Sequence, residues 1–249
     1  MLEVRKLNKS FGALNVTKDV SLTLAKGERR VVLGPNGAGK TTLFNLVAGT
    51  LSPDSGEILV DGAPVTSFTA DKRARLGMSR SYQKNNLFED LTIRENLTLA
   101  AMIAQGRTRS LIRPQHAAPE VVECVDRVAA QVSLDRILDK PVRGASYGDR
   151  RRLEIGLALA TRPKILLLDE PTSGVGPDMI EAFPRLLNDL PRDLTMLIIE
   201  HDFDLGFDIA DRVTVLNYGE VVFEGDPDQT RASPVVKEIY LGDWEDGPA

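Results

Sequence analysis

Gly34-Pro35-Asn36-Gly37-Ala38-Gly39-Lys40-Thr41-Thr42 is the stretch that decides how this chain is read. It follows Arg30-Val31-Val32-Leu33, which reads as a buried strand, and precedes Leu43-Phe44-Asn45-Leu46-Val47-Ala48, which reads as a helix that Gly49 can cap. Strand, glycine-rich turn, Lys-Thr and helix form the context of a phosphate-binding P-loop. Glycines let successive backbone N–H groups turn inward around a phosphate, because no Cβ blocks the approach. The helix N-terminus adds unpaired donors and a partial positive charge. Lys40 carries a full charge to the outer phosphates, and the Thr41 hydroxyl is placed to ligate Mg2+, which prefers oxygen. The expected nucleotide contacts are Asn36, Gly37, Ala38, Gly39, Lys40, Thr41 and Thr42.

Downstream acids define the chemistry. Ile165-Leu166-Leu167-Leu168 is apolar throughout, as suits a central parallel strand, and it ends in Asp169-Glu170. Acids at such a strand end lie where α/β sheets bind ligands. Asp169 can hold Mg2+ through its water shell, and Glu170 can polarise a water for in-line attack on a γ-phosphate. Thr195-Met196-Leu197-Ile198-Ile199 is a second buried strand, ending at Glu200-His201-Asp202. His201 is one of only two histidines, and its place at a strand end favours a role in the same site. Ser146 can cap the helix that runs to Ala160, whose first turn offers another potential anion site.

The flanks read as follows. Leu2 to Leu7 is a strand, and Val20 to Leu24 alternates at period 2 as a half-buried antiparallel strand does. Phe11 can stack on a nucleotide base or be an ordinary core residue. Residues 52 to 65 form a hairpin around the Asp61-Gly62 turn. Arg75 to Tyr82 leads to Gln83, a polar amide at a strand end. Thr92-Ile93-Arg94-Glu95 is a capping-box signal, and Pro119 opens a helix to Val132 with an apolar valine face. Between these helices, Gly106 to Pro119 is polar and basic, carrying Arg107, Arg109, Arg113 and His116, either as a solvated loop or as a contact to a membrane partner. Asp178 to Leu190 has helical spacing, but Pro184 in its middle predicts a kink or a restart. A hairpin from Asp211 to Glu224 and a helical tail from Pro234 close the chain.

Bulk properties narrow the classes. The chain has 249 residues, 42% hydrophobic and 27% charged, with a net charge of −5. That describes a soluble globular protein without a global basic field, so nucleic acid is not an expected partner. Cys124 is the only cysteine, which excludes an internal disulfide and a cysteine-rich metal site. Met1-Leu2-Glu3-Val4-Arg5 carries no signal-peptide core, and no run reaches the ~20 apolar residues of a membrane span, so any membrane role is expected to be peripheral.

The order of these pieces resembles the nucleotide-binding subunit of an ATP-binding cassette (ABC) transporter over essentially the whole chain. Gly34 to Thr42 looks like the family's Walker A motif and Ile165 to Glu170 its Walker B motif. Ser146-Tyr147-Gly148-Asp149 stands at the signature motif, Gln83 at the Q-loop, His201 at the switch histidine and Phe11 at the adenine-stacking aromatic. The resemblance implies a P-loop NTPase core spanning 1–249, with an N-terminal antiparallel β subdomain, a helical subdomain at about 87–160 and a C-terminal helical tail at about 226–249. It implies ATP and Mg2+ as ligands, with Thr41, Gln83 and Asp169 around the metal and Glu170, His201 and Gln83 in catalysis. In the family two subunits pair head to tail, and each ATP lies between one subunit's Walker A and the other's signature. Ser146 and Gly148 would then hold the γ-phosphate of a partner's ATP. The partners implied are a second ATPase subunit in a homo- or heterodimer, a membrane permease and, indirectly, a solute-binding protein. The implied place is cytoplasmic, on the inner face of the cell membrane.

Within that family the chain is similar to the ATPase subunits of branched-chain amino acid importers. The carrying residues are Lys9 to Gly12, Thr41 to Asn45, Ala74 to Gly77, Ser146 to Gly148, Arg151 to Ile155, Ile199 to Asp202 and Ile239 to Gly242. Importers of urea and short amides share many of them. Three positions depart from the pattern: Asp149 replaces the usual Gln, Ala145 the usual Leu, and Gly176 an Asp or Asn. Two other classes stay open on the sequence, a soluble cassette ATPase acting on nucleic acid or ribosomes and a nucleotide-binding subunit without useful hydrolysis.

Overall fold

The computed structural model describes residues 1–81, 87–106, 118–174 and 177–244, with the side chains of 177–181 and 241–244 excepted. The chain begins with β1 (Leu2–Phe11), β2 (Leu14–Leu24) and β3 (Arg29–Leu33), then enters α1 (Lys40–Ala48). β4 (Ser55–Val60), β5 (Ala63–Pro64), α2 (Ala70–Arg75) and β6 (Met78–Arg80) follow. Three helices come next: α3 (Ile93–Ala104), α4 (Pro119–Gln131) and α5 (Tyr147–Ala160). The remainder is β7 (Ile165–Asp169), α6 (Pro177–Asn188), β8 (Thr195–Ile199), α7 (Phe203–Ile209), β9 (Arg212–Asn217), β10 (Glu220–Gly225), α8 (Pro227–Ala232) and α9 (Pro234–Trp244).

The strands form two sheets. One is antiparallel, in the order β2-β1-β4-β5. The other runs β10-β9-β3-β8-β7-β6, parallel except for β10 at its edge. Every residue of β3, β7 and β8 is buried, as strands covered on both faces require. Their alternate side chains serve two cores. Val32, Ile165, Leu167, Leu197 and Ile199 pack with α1 and the antiparallel sheet. Val31, Leu33, Leu166, Leu168, Met196 and Ile198 pack with the helices on the opposite face. α1 lies between the two sheets, where Leu43, Phe44, Leu46 and Val47 are buried; each contributes about 1.5–3 kcal/mol by leaving water. That burial seats the helix whose N-terminus carries Lys40.

Local signals behave as their chemistry demands. Val20, Leu22 and Leu24 are buried while Ser21 and Thr23 are exposed. Gly49 caps α1 in the left-handed region at φ 76°. The Thr92 hydroxyl accepts from Glu95 N–H, and the Glu95 carboxylate accepts from Thr92 N–H at 2.7 Å. β1 continues past Leu7 to Phe11 through register shifts, longer than its sequence reading. Of the kink or restart expected at Pro184, the restart is not seen: α6 runs from 177 to 188 with the proline inside it. Phe183, Leu186 and Leu187 bury that helix against the central sheet, and this packing outweighs the one ladder bond that proline removes. The short helices α2 and α7 had no signal strong enough to be read from the sequence.

Candidate nucleotide site

Three parallel strands end side by side. Val32 of β3 pairs with Ile199 of β8, and Ile199 pairs with Asp169 of β7. The ladder extends one step further, with Glu200 N–H donating to the Val32 carbonyl at 3.2 Å and Glu170 N–H to the Ile199 carbonyl at 2.9 Å. These bonds set the P-loop, Asp169-Glu170 and Glu200-His201 along one edge of the sheet, the ligand-binding edge of α/β folds.

The P-loop is held by close backbone approach. Gly39 is the N-cap of α1 at φ 100°, and a Cβ there would lie 2.5 Å from the Val16 carbonyl oxygen. Gly37, at φ 80°, faces open space. No side chain caps α1 and no acid lies in its first turn, so its leading N–H groups suit an anion. Ala38 is buried, while Asn36, Gly37 and Thr41 are exposed and Thr42 is half-buried. Lys40 is buried and donates to the Gly34 carbonyl and, at 3.0 Å, to that of Pro35. Burial pulls its pKa below the usual lysine range, against the opposing pull of Glu170, Asp169 and Glu200.

The acids occupy three environments. Asp169 is buried, with Arg80 Nη2 3.6 Å from its Oδ2. Burial raises its pKa, and Arg80 works in the opposite direction. Arg80 also donates to Asn45 of α1 at 2.8 Å and covers the Phe44 ring, tying β6 to α1. Glu170 adopts the left-handed region at φ 42°, uncommon for a residue with a Cβ. That turn aims its carboxylate toward His201, whose Nδ1 lies 4.0 Å from Glu170 Oε1. The His201 side chain is 56% exposed, so it can reach a ligand.

Glu200 and Arg151 are among the residues that carry the family resemblance, but the sequence reading gave neither a place in the site. Glu200 is 0% exposed; its Oε1 accepts from the Thr172 hydroxyl at 2.9 Å, and its Oε2 accepts from His201 N–H at 3.3 Å. Burial raises its pKa, partly offset by the Thr172 bond. Arg151, on α5, donates to the carbonyls of Asp169, Glu170 and Pro171 at 3.1, 2.8 and 2.8 Å. It therefore clamps the strand end and the unusual Glu170 turn. Its sequence signals were its place in the Arg151 to Ile155 segment and an inward position on a helix.

The start of α5 makes its own contacts. Ser146 Oγ accepts from Asp149 N–H at 3.1 Å and donates to Asp149 Oδ2 at 2.7 Å. The exposed Tyr147 donates its hydroxyl to the Ser173 carbonyl at 3.1 Å, touching the loop after Glu170. Gly148 lies in the same first turn. Among the described residues, these contacts stay within α5 and that loop and do not reach the P-loop. Phe11 is 51% exposed at the end of β1 and is not a core residue. Gln83, Gly176 and the polar stretch 107–117 lie outside the described residues.

The donor set fits a magnesium nucleotide. Thr41 and Asp169 offer hard oxygen ligands next to an open glycine cradle and a buried lysine. Among the described residues, no group of three or more His, Cys, Asp or Glu could hold a metal alone. A cation here needs phosphate and water oxygens as well, as Mg2+ usually does.

Comparison with known proteins agrees with this geometry. Residues 17–173 match the family described as ABC transporter. The chain is 36% identical over 250 residues to the high-affinity branched-chain amino acid transport ATP-binding protein LivG of Escherichia coli (strain K12), covering 98% of each. It is 35% identical over 244 residues to the lipopolysaccharide export system ATP-binding protein LptB of Haemophilus influenzae, again covering 98% of each. Among solved structures it resembles the ADP conformation of MJ1267, an ATP-binding cassette of an ABC transporter, with a TM-score of 0.85 and 27% identity, covering 97% of this chain and 98% of that one.

Proposed function

Since the chain belongs to the ABC transporter family and is a nucleotide-binding ATPase of it, we propose that it drives import of branched-chain or other hydrophobic amino acids through a membrane permease. The observation that carries the hydrolytic part is the meeting of Glu170 and His201 at the strand edge beside Lys40. The near full-length likeness to LivG supports the solute class. Among the described residues no helix is long and apolar enough to cross a membrane, which accords with a subunit docked on the inner face of the membrane through a permease.

In this reading two ATPase subunits pair head to tail, the second being another copy or, as we favour, a sister subunit. A solute-binding protein delivers the solute to the permease. Phe11 stacks on the base, and the loop from Asn36 to Thr42 holds the phosphates with Lys40. Thr41 and Asp169, with Gln83 as the family resemblance implies, would hold Mg2+, which would neutralise charge on the phosphates. Glu170 orients the attacking water and takes its proton. His201 positions the γ-phosphate, with its backbone fixed by the buried Glu200. Arg151 keeps the Glu170 turn in place through its three carbonyl contacts.

Glu170→Gln tests this directly. Hydrolysis is expected to fall by about 10²–10⁴-fold, with an ATP-bound dimer accumulating in size-exclusion chromatography. Unchanged turnover would remove the role assigned to Glu170. One second reading has an observation behind it: the likeness to LptB favours export of an amphiphile. Uptake of radiolabelled leucine by vesicles holding the chain with its co-purified permease separates the two. ATP-dependent accumulation with the solute-binding protein added supports import, and ATP-driven extraction of lipopolysaccharide from the vesicle membrane favours export.

A further inference from the structure

The three strands that carry the nucleotide residues at one end meet a cavity at the other. Lys26 precedes β3, Lys164 precedes β7 and Asp193 lies just before β8; all three line a hollow of about 500 Å³, together with Asp61, Arg127 and Arg162. That volume suits a small molecule. Each of the three strands has five residues, which sets the hollow about 15 Å from the P-loop edge.

Its walls are fastened to one another. Gly27 N–H donates to the Thr195 hydroxyl at 2.9 Å, Thr195 N–H to the Lys164 carbonyl at 3.1 Å and Asp61 N–H to the Met1 carbonyl at 2.8 Å. Gly27, at φ 76°, lets the Lys26 turn close on the Arg192 carbonyl, where any Cβ would overlap the oxygen. Buried Leu159 and Leu194 give the hollow an apolar wall.

The charge is one-sided. Four cations, Lys26, Arg127, Arg162 and Lys164, and two acids, Asp61 and Asp193, leave an excess of two positive charges, in a chain whose net charge is −5. Lys164 Nζ lies 3.9 Å from Asp61 Oδ2, whereas among the described residues Lys26, Arg127 and Arg162 form no ion pair. Arg127 donates to Cys124 Sγ at 3.4 Å, and Gln131 stands one turn further along the same face of α4. Arg162 follows the end of α5 in the left-handed region at φ 52°, where glycine or asparagine is the usual residue.

We propose that this hollow binds a soluble anion of about nucleotide size that carries at least two negative charges on phosphate, at a site separate from the P-loop. Two charges match the excess. The guanidinium forks of Arg127 and Arg162 suit phosphate oxygens, and Lys26 adds a compact charge. The apolar wall takes a ring or a base. A concave hollow encloses a small molecule, where a flat bilayer surface would reach only its rim.

The test uses the full-length chain carrying Lys40→Ala, which disables the P-loop, with pyrophosphate as the probe in isothermal titration calorimetry. Saturable one-to-one binding is expected. Lys26→Gln and Arg162→Gln should each weaken it by about tenfold, the ratio for one hydrogen bond to a charged group. Arg162→Lys, which keeps the charge and loses the fork, should weaken it by about threefold. In the chain with Lys40 intact, tight binding of a fluorescent ATP analogue should be unchanged by Arg162→Gln, which shows the fold preserved and the two sites separate. No saturable pyrophosphate binding overturns the proposal, and so does binding that ignores both charge removals, since the anion then sits elsewhere. Loss of the tight analogue binding in Arg162→Gln overturns the separation of the sites. Co-sedimentation with phosphatidylglycerol vesicles that Arg162→Gln abolishes, without pyrophosphate binding, overturns a soluble ligand in favour of a lipid headgroup.

Discussion

Two helix N-termini in this chain carry glycine-containing turns, and they are finished in opposite ways. α1 begins at Gly39 with no capping side chain and no acid in its first turn, and a buried lysine stands at its first position. α5 begins at Ser146, whose hydroxyl caps the helix, with Asp149 in the first turn. The same backbone dipole is left open to an anion at one end and answered internally at the other. A helix end can therefore be left open within one chain or capped by its own side chains. The side chains of its first four residues decide which.

The sharpest way to break this contrast is to delete one side chain at each end. Lys40→Ala should weaken single-chain ATP binding by about 100-fold or more, since a charge-assisted contact to phosphate is lost. Ser146→Ala should leave that affinity within about twofold. Titration with a fluorescent ATP analogue reads both, and comparable losses would abolish the distinction.

A comparable contrast concerns the backbone. Gly39→Ala places a Cβ against the Val16 carbonyl at a left-handed position and is expected to cost about 2–4 kcal/mol in denaturant unfolding. Ser146→Ala should cost about 1 kcal/mol, the usual loss of an N-cap. A larger loss at Ser146 would mean that the α5 end is the more constrained of the two.

The smallest effect is in pH. Burial lowers the pKa of Lys40, and a bound phosphate favours its protonated form. Single-chain affinity for ATP should therefore be full below the free-state pKa of Lys40 and decline as pH rises through it. The decline should begin at a lower pH than an ordinary lysine would give. Residual binding by Lys40→Ala should lack this inflection. A flat profile in the parent would show that Lys40 stays charged throughout.

Much of the fold was legible because its signals are local. Capping at Thr92 and Ser146, the turn at Asp61-Gly62 and the apolar runs of β3, β7 and β8 each depend on neighbours within a few residues. The meeting of Lys40, Asp169, Glu170 and His201 was expected because parallel strands end at a common edge. Glu200 was quoted but given no role, because an acid between an isoleucine and a histidine does not announce its burial. Pro184 left a kink and a restart open, because propensity counts one lost bond, while the packing of Phe183, Leu186 and Leu187 that accompanies a continuous helix is long-range.

The sequence by itself determined that a phosphate-binding loop joins a buried strand to a helix, with two acids and a histidine at the ends of other buried strands. Periodicity, glycine spacing and capping encode those features over short stretches. Only the tertiary structure decided how the site is held and how its second helix end is closed. Arg151 reaches across from α5 to three carbonyls, Tyr147 bonds the loop after Glu170, and Ser146 gives its proton to Asp149. Backbone carbonyls and hydroxyl protons are present at every position. Which of them a side chain finds depends on how helices dock and which rotamers they adopt, and no local pattern records that.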